Sequence, residues 1–400
     1  MQISSPETST QRVQLSASVI AHAAFVPTGM ITVMLGPLLP TLSARWSLND
    51  SQAGYLVTAQ FLGALLSTVS CGVVLPRLGF RRTISCGLLF MGTGAATLIA
   101  GPFWWALIAV FCYGIGIGLT IPTGNLVVAP VGSERRSSAL NLLNFSWSAG
   151  AVACPFLLAA FQHRGHTNFF LYGIGGLLAV VAVALFVVPT NLPEPSREAS
   201  ATPRRLWLRY LWTPAAMVLG AIFFIYVGTE NALGTWLASY AKRVSAVSSS
   251  GWITVPSYFY GALLLGRVVA PLTLRQISDV RQARWGTVLA LSSTGALLFA
   301  RSVPGVALCA LFAGLGMSSL YPIAIAFLSE AFEAATPRII GVMFALSTLG
   351  GASVPWLVGY VSTRFASLRT ALVVAVVGCL TMFVLFRSRD LQKCSFEHGR

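Results

Sequence analysis

Charge is what this sequence lacks. Only 9% of its 400 residues are Asp, Glu, Lys or Arg, against about 25% in an ordinary soluble domain. Acids are the scarcer sign, 11 against 26 cations. A chain this poor in charge cannot cover a water-facing surface, which excludes a soluble enzyme. Histidine is sparse and scattered, at positions 22, 163, 166 and 398, so a protein metal site is not expected. Six of the seven cysteines (Cys71, Cys86, Cys112, Cys154, Cys309, Cys379) lie in apolar runs and Cys394 lies in the tail, with neither disulfide-framework nor metal spacing. No Walker lysine motif is present, which excludes ATP-driven transport. No acid pair, metal cluster or nucleophile with its base is visible, so neither catalysis nor a cofactor is expected. The net charge of +15 would suggest nucleic acid in a soluble chain, but no basic stripe interleaved with aromatics supports it.

What the chain has instead is apolar length, with 56% hydrophobic residues. A membrane-crossing helix needs about 20 apolar residues to span a hydrocarbon layer roughly 30 Å thick. Twelve stretches qualify: 16–40, 52–73, 83–101, 104–128, 138–161, 168–189, 213–240, 251–272, 285–302, 304–328, 338–361 and 369–387. The first follows a polar Ser/Thr-rich lead and is too long for a cleaved signal, so it counts as helix one. If the N-terminus is cytoplasmic, eighteen cations fall inside, among them Arg77, Arg81, Arg82, Arg135 and Arg136; seven fall outside, and Arg267 lies within the eighth span. That bias places both termini in the cytoplasm and turns the basic character into a topology signal.

The halves align at an offset near 200. Gly114, Gly116 and Pro122 match Gly314, Gly316 and Pro322, while Gly150 and Pro155 match Gly350 and Pro355. GALL at 63–66 recurs at 261–264, and Gly29 stands against Gly228. A six-span unit repeated after an even number of crossings keeps its orientation, giving halves related by an axis along the membrane normal. The expected architecture is all-α and integral to the membrane: twelve transmembrane helices in two six-helix bundles with pseudo-two-fold symmetry. Residues 1–189 form the first bundle, 190–212 a cytoplasmic linker, and 213–400 the second bundle with a short tail.

With these motifs the chain resembles the major facilitator superfamily, and within it the fucose permease-like branch of sugar:proton symporters. That superfamily usually carries Gly-x-x-x-Asp-Arg-x-Gly-Arg-Arg between spans two and three; here Gly72 to Arg82 keeps the glycines and cations, with Pro76 in place of the acid. In the family that acid helps lock the cytoplasmic gate. GPLLPTL at 36–42, GIGIGLTIPTGN at 114–125, ALNLLNFSWSAGAVACPFL at 139–157, YVGTENALGTWL at 226–237 and GGASVPWLVGY at 350–360 resemble the same branch. The permease for which the branch is named uses acids in spans one and four, where this chain has His22 and Asn125, so fucose is not carried over as the substrate.

Ten of the eleven acids fall in loops or tails; Glu230 alone lies well inside a span. A charge at the bilayer centre costs about 2.5 to 3.5 kcal/mol on insertion scales and must face a cavity or a partner. Glu230 is therefore the candidate for proton coupling, against plain solute binding or a structural pairing with Tyr226 one turn away. Asn141, Asn144 and Ser148 share one face of span five, and Asn125, Gln60 and Asn231 add further amides, groups that both donate and accept as hydroxyl-rich ligands require. The bland reading, hydrogen bonding between helices, competes for each. Trp356 and Tyr321 are candidate ring-stacking residues, and lipid-facing packing is the default for both. Arg267, within a turn or two of a span end, is expected to snorkel. Arg77, Arg81, Arg82, Glu134 and Arg135 are candidates for closing an inner gate.

The expected function is secondary active transport of a small neutral polar solute, a monosaccharide, by alternating access, coupled to protons through Glu230. An exporter of drugs or metabolites and a non-transporting solute sensor on the same fold are the alternatives. A proton or Na⁺ as coupling ion, the lipid bilayer, a monomeric state and a bacterial inner membrane complete the expectation.

Overall fold

The computed structural model describes residues 6–128, 136–187, 211–245, 251–274, 277–332 and 336–388, and these are helical throughout with no strand among them. In chain order the helices are α1 (Pro6–Val33), α2 (Leu35–Trp46), α3 (Asp50–Thr97), α4 (Phe103–Val128), α5 (Arg136–Gln162) and α6 (Thr167–Val187). They continue with α7 (Pro214–Val244), α8 (Val255–Leu274), α9 (Asp279–Leu297), α10 (Val303–Met317), α11 (Leu320–Phe332), α12 (Thr336–Phe365), α13 (Leu368–Ala371) and α14 (Val373–Leu385). Among the described residues eight helical segments are long and apolar enough to cross a membrane, with α10–α11 and α13–α14 counted as one each, and nine if the bent pair 21–33 and 35–46 counts as one span.

Four expected spans take a form their hydropathy did not show. Span one breaks at Met34 into α1 and α2, bent by 43°, next to prolines at 27, 37 and 40 that remove main-chain donors. Spans two and three are the two arms of α3, kinked at Gly79, whose φ of 74° and ψ of 168° belong to a region essentially reserved for glycine. Span ten divides between α10 and α11 at Ser318 and Ser319. Elsewhere the ends are set by ordinary caps. Thr213 accepts from Ala216 N at 3.3 Å to open α7 with Pro214 in its first turn, and Lys242 and Arg243 sit in the last turn, where cations favour the helix dipole.

The chain divides into two compact units: Met1–Met34 with Leu62–Ala199, and Leu35–Phe61 with Ser200–Arg400. Unit 1 is held by close helix crossings. A Cβ on Gly150 of α5 would overlap the Val26 carbonyl oxygen of α1, and one on Gly116 of α4 would overlap the Gly87 carbonyl oxygen of α3. Ala21, Phe25, Val128 and Leu143 form an apolar cluster with Trp147 packed against it. Unit 2 repeats these crossings. Gly350 of α12 meets the Phe224 carbonyl of α7, and Gly316 of α10 meets the Gly286 carbonyl of α9. The glycines paired in sequence by a shift of 200 thus do the same work in each half, letting two backbones approach where any side chain would hold them apart.

Unit 2 also contains α2 and the opening turns of α3. Gly36 packs on the Gly234 carbonyl of α7, Thr58 Oγ1 donates to Ala352 O at 2.8 Å, and Trp236 Nε1 donates to Pro355 O at 2.8 Å. At one end of this seam Asp50 pairs with Arg243 at 2.5 Å and accepts a hydrogen bond from Ser362 Oγ.

Candidate functional site

Glu230 lies on α7 and is 8% exposed. Tyr226, one turn earlier on the same face, is 1% exposed, and its hydroxyl makes no hydrogen bond of good geometry among the described residues. Arg267 of α8 brings a guanidinium nitrogen to 4.0 Å from Glu230 Oε1, with 22% of its side chain exposed. The expected snorkel is thereby corrected: Arg267 turns to the acid of the neighbouring helix. Solvating a guanidinium at the membrane boundary competes here with a carboxylate that would otherwise lie buried and unpaired, and the pair wins.

Tyr321 closes this group from α11. Its ring lies 5.4 Å from Tyr226 and edge-on to Phe223 at 5.3 Å. The break at Ser318 and Ser319 starts α11 just before Tyr321. The cluster thus holds one acid, one cation, a buried phenol set beside both of them and a second phenol, all within unit 2. Buried polar atoms are nearly always hydrogen-bonded, and here the acid, the guanidinium and the phenol are the groups available to one another.

The other candidates are placed as follows. Asn125 of α4, in unit 1, has its side-chain oxygen buried without a hydrogen-bond partner among the described residues, as does the Ser148 hydroxyl of α5. Asn144 is exposed, and its Nδ2 donates to Leu140 O at 3.0 Å; the side chain of Asn141 lies outside the described residues. Asn231 donates back to Val227 O at 2.8 Å on its own helix, the bland role weighed for it. Gln60 is 3% exposed, within unit 2. Trp356 stacks between Tyr55 and Tyr360, at 6.5 and 5.5 Å, with its indole N–H buried and without a hydrogen-bond partner among the described residues. His22 Nδ1 lies 2.7 Å from Ser146 Oγ.

Among the gating candidates, Arg77 and Arg82 are exposed. Arg81 donates to the carbonyls of Leu185 and Phe186, capping the end of α6 within unit 1. Glu134 and Arg135 lie outside the described residues. Among the described residues no group of His, Cys, Asp or Glu could hold a metal ion. Sequence reasoning missed Arg267 as a site residue. The available signal was that it is the one cation inside an expected span, as Glu230 is the one acid, on the very next helix.

Long apolar helices that set a lone acid against a lone cation define a multi-pass membrane protein. Residues 22–303 match the family model described as the Major Facilitator Superfamily, and the chain belongs to that family. A glucose/galactose transporter of Brucella abortus is 25% identical over 383 residues, covering 88% of this chain and 89% of that protein. The E. coli fucose:proton symporter FucP shares the fold at a TM-score of 0.64 and 18% identity, covering 94% of this chain and 98% of that one. The nucleoside transporter NupG does so at 0.77 and 11%, covering 94% and 98%. The chain is thus a multi-pass membrane protein whose relatives are transporters, not enzymes.

Proposed function

We propose that this protein is a secondary transporter of a monosaccharide, working by alternating access between bundles 1–189 and 213–400, with a proton taken and released at Glu230. The observation that carries the coupling is the Glu230–Arg267 pair at 4.0 Å beside the buried Tyr226 hydroxyl. At 4 Å two unit charges attract by about 4 kcal/mol at an effective dielectric of 20. Protonating Glu230 removes that hold and frees guanidinium N–H groups, with the Tyr226 hydroxyl, to donate to solute oxygens. Proton binding and solute binding then favour one another. The sugar class is supported by the glucose/galactose transporter among the relatives and by the aromatic and amide side chains within the spans. The proposed setting is a bacterial inner membrane, with a monomer and both termini cytoplasmic.

The test is uptake of labelled D-glucose and D-galactose into proteoliposomes under an imposed pH gradient, with a Na⁺ gradient as the parallel arm. Wild type should accumulate solute when the outside is acidic, and Glu230→Gln should exchange solute without responding to the gradient. Equal responses in the two proteins would remove Glu230 from the coupling.

A further inference from the structure

At the end of unit 2 where α2 runs into α3 and α12 into α13, the structure holds an open cleft of about 450 Å³. Small-molecule sites range over roughly 300 to 1,000 Å³. None of its lining residues belongs to the Glu230 cluster. Asn49, Gln52 and Tyr55 form one wall, and Tyr360, Thr363 and Arg364 the other.

The chemistry of these walls is specific. Tyr55 and Tyr360 are 44% and 48% exposed, and both rings stack at 22° and 27° on Trp356 between them. Asn49 and Gln52 commit their side-chain oxygens to each other's main-chain N–H, at 2.8 and 3.0 Å, which leaves each amide NH₂ as a donor edge. Arg364 makes no ion pair among the described residues, and no acid lines the cavity. Aromatic faces set beside amide and guanidinium donors suit a ring with an apolar face and a rim of hydroxyl oxygens.

The position matters as much. Ser51 N donates to Thr363 Oγ1 at 2.9 Å, and Asp50 holds Arg243 and Ser362 immediately alongside. One wall comes from residues 49–55 and the other from 360–364, which fall in bundles 1–189 and 213–400 of the proposed alternating-access pair, so on that reading the cleft needs these segments joined. A ligand that needs both walls stabilises the joined state by linkage. At a hundred times its dissociation constant it favours that state about a hundredfold.

We propose that this cavity is a second, outer site for a hydroxyl-rich monosaccharide, and that its occupant holds the Asp50 seam shut and slows transport. This rests on the proposed transport function and on the orientation that places residues 46–50 outside. The test measures initial uptake of labelled D-glucose into proteoliposomes, up to about a hundred times half-saturation, for wild type, Tyr360→Ala and Arg364→Ala. Both side chains are exposed, so their truncation leaves the core intact. The wild-type rate should pass through a maximum and fall about twofold or more, whereas both variants should rise to a plateau with unchanged half-saturation. A wild-type plateau, or a fall retained in either variant, overturns the outer site and leaves the transport function standing. If D-glucose is not taken up at all, it is the transport reading that fails. Equilibrium binding of labelled D-glucose to the purified full chain then decides the cavity: binding lost in Tyr360→Ala supports it, and equal binding or none in wild type overturns it.

Discussion

Glu230 and Arg267 each carry a charge that the membrane makes expensive, and each is tolerable because the other is there. Removing one partner of a buried pair strands the other, at a cost of about 3 to 5 kcal/mol, whereas removing both costs far less. Arg267→Met should therefore lower the thermal unfolding midpoint more than the double substitution Glu230→Gln with Arg267→Met does. Additive losses in that cycle would show that the two side chains do not interact. The acid was legible in the sequence, since scarcity itself singled it out. Its partner was not, because distance along a span says how easily a side chain reaches water, while only the crossing of α7 and α8 says what it meets first.

At the scale of helices, glycine position decides stability. A Cβ on Gly350 would overlap the Phe224 carbonyl, whereas one on Gly341 of the same helix meets nothing within 4 Å. Gly350→Ala should destabilise by about 1 to 3 kcal/mol through overpacking, and Gly341→Ala should stabilise by up to about 1 kcal/mol through helix propensity. Thermal unfolding of the two variants in detergent checks the opposite signs; shifts of the same sign would deny the crossing its role. The repeat that pairs Gly350 with Gly150 was readable from spacing alone. The bend at Met34 was not, because hydropathy averages over a window and a bent span is as apolar as a straight one.

For the whole molecule, composition carried the architecture. Low charge and twelve apolar runs are enough to imply a bundle in a membrane, and the cation bias implies its orientation. In intact cells carrying a chain whose other cysteines are replaced, an impermeant maleimide should label Arg164→Cys and should reach Cys394 only after permeabilisation. The reverse pattern would invert the proposed topology, and with it the side from which the cavity between Tyr55 and Tyr360 fills.

The broken first span also constrains how the protein is made. With 12 residues, α2 is only about 18 Å long, too short to cross a bilayer without α1. Its packing partner is α7, where Gly36 meets Gly234, almost two hundred residues further along the chain. At roughly 5 to 20 residues per second of synthesis, this proline-bearing segment waits on the order of 10 to 40 s for the helix that completes it. Until α7 is made, the contact that packs α2 in the folded chain is absent.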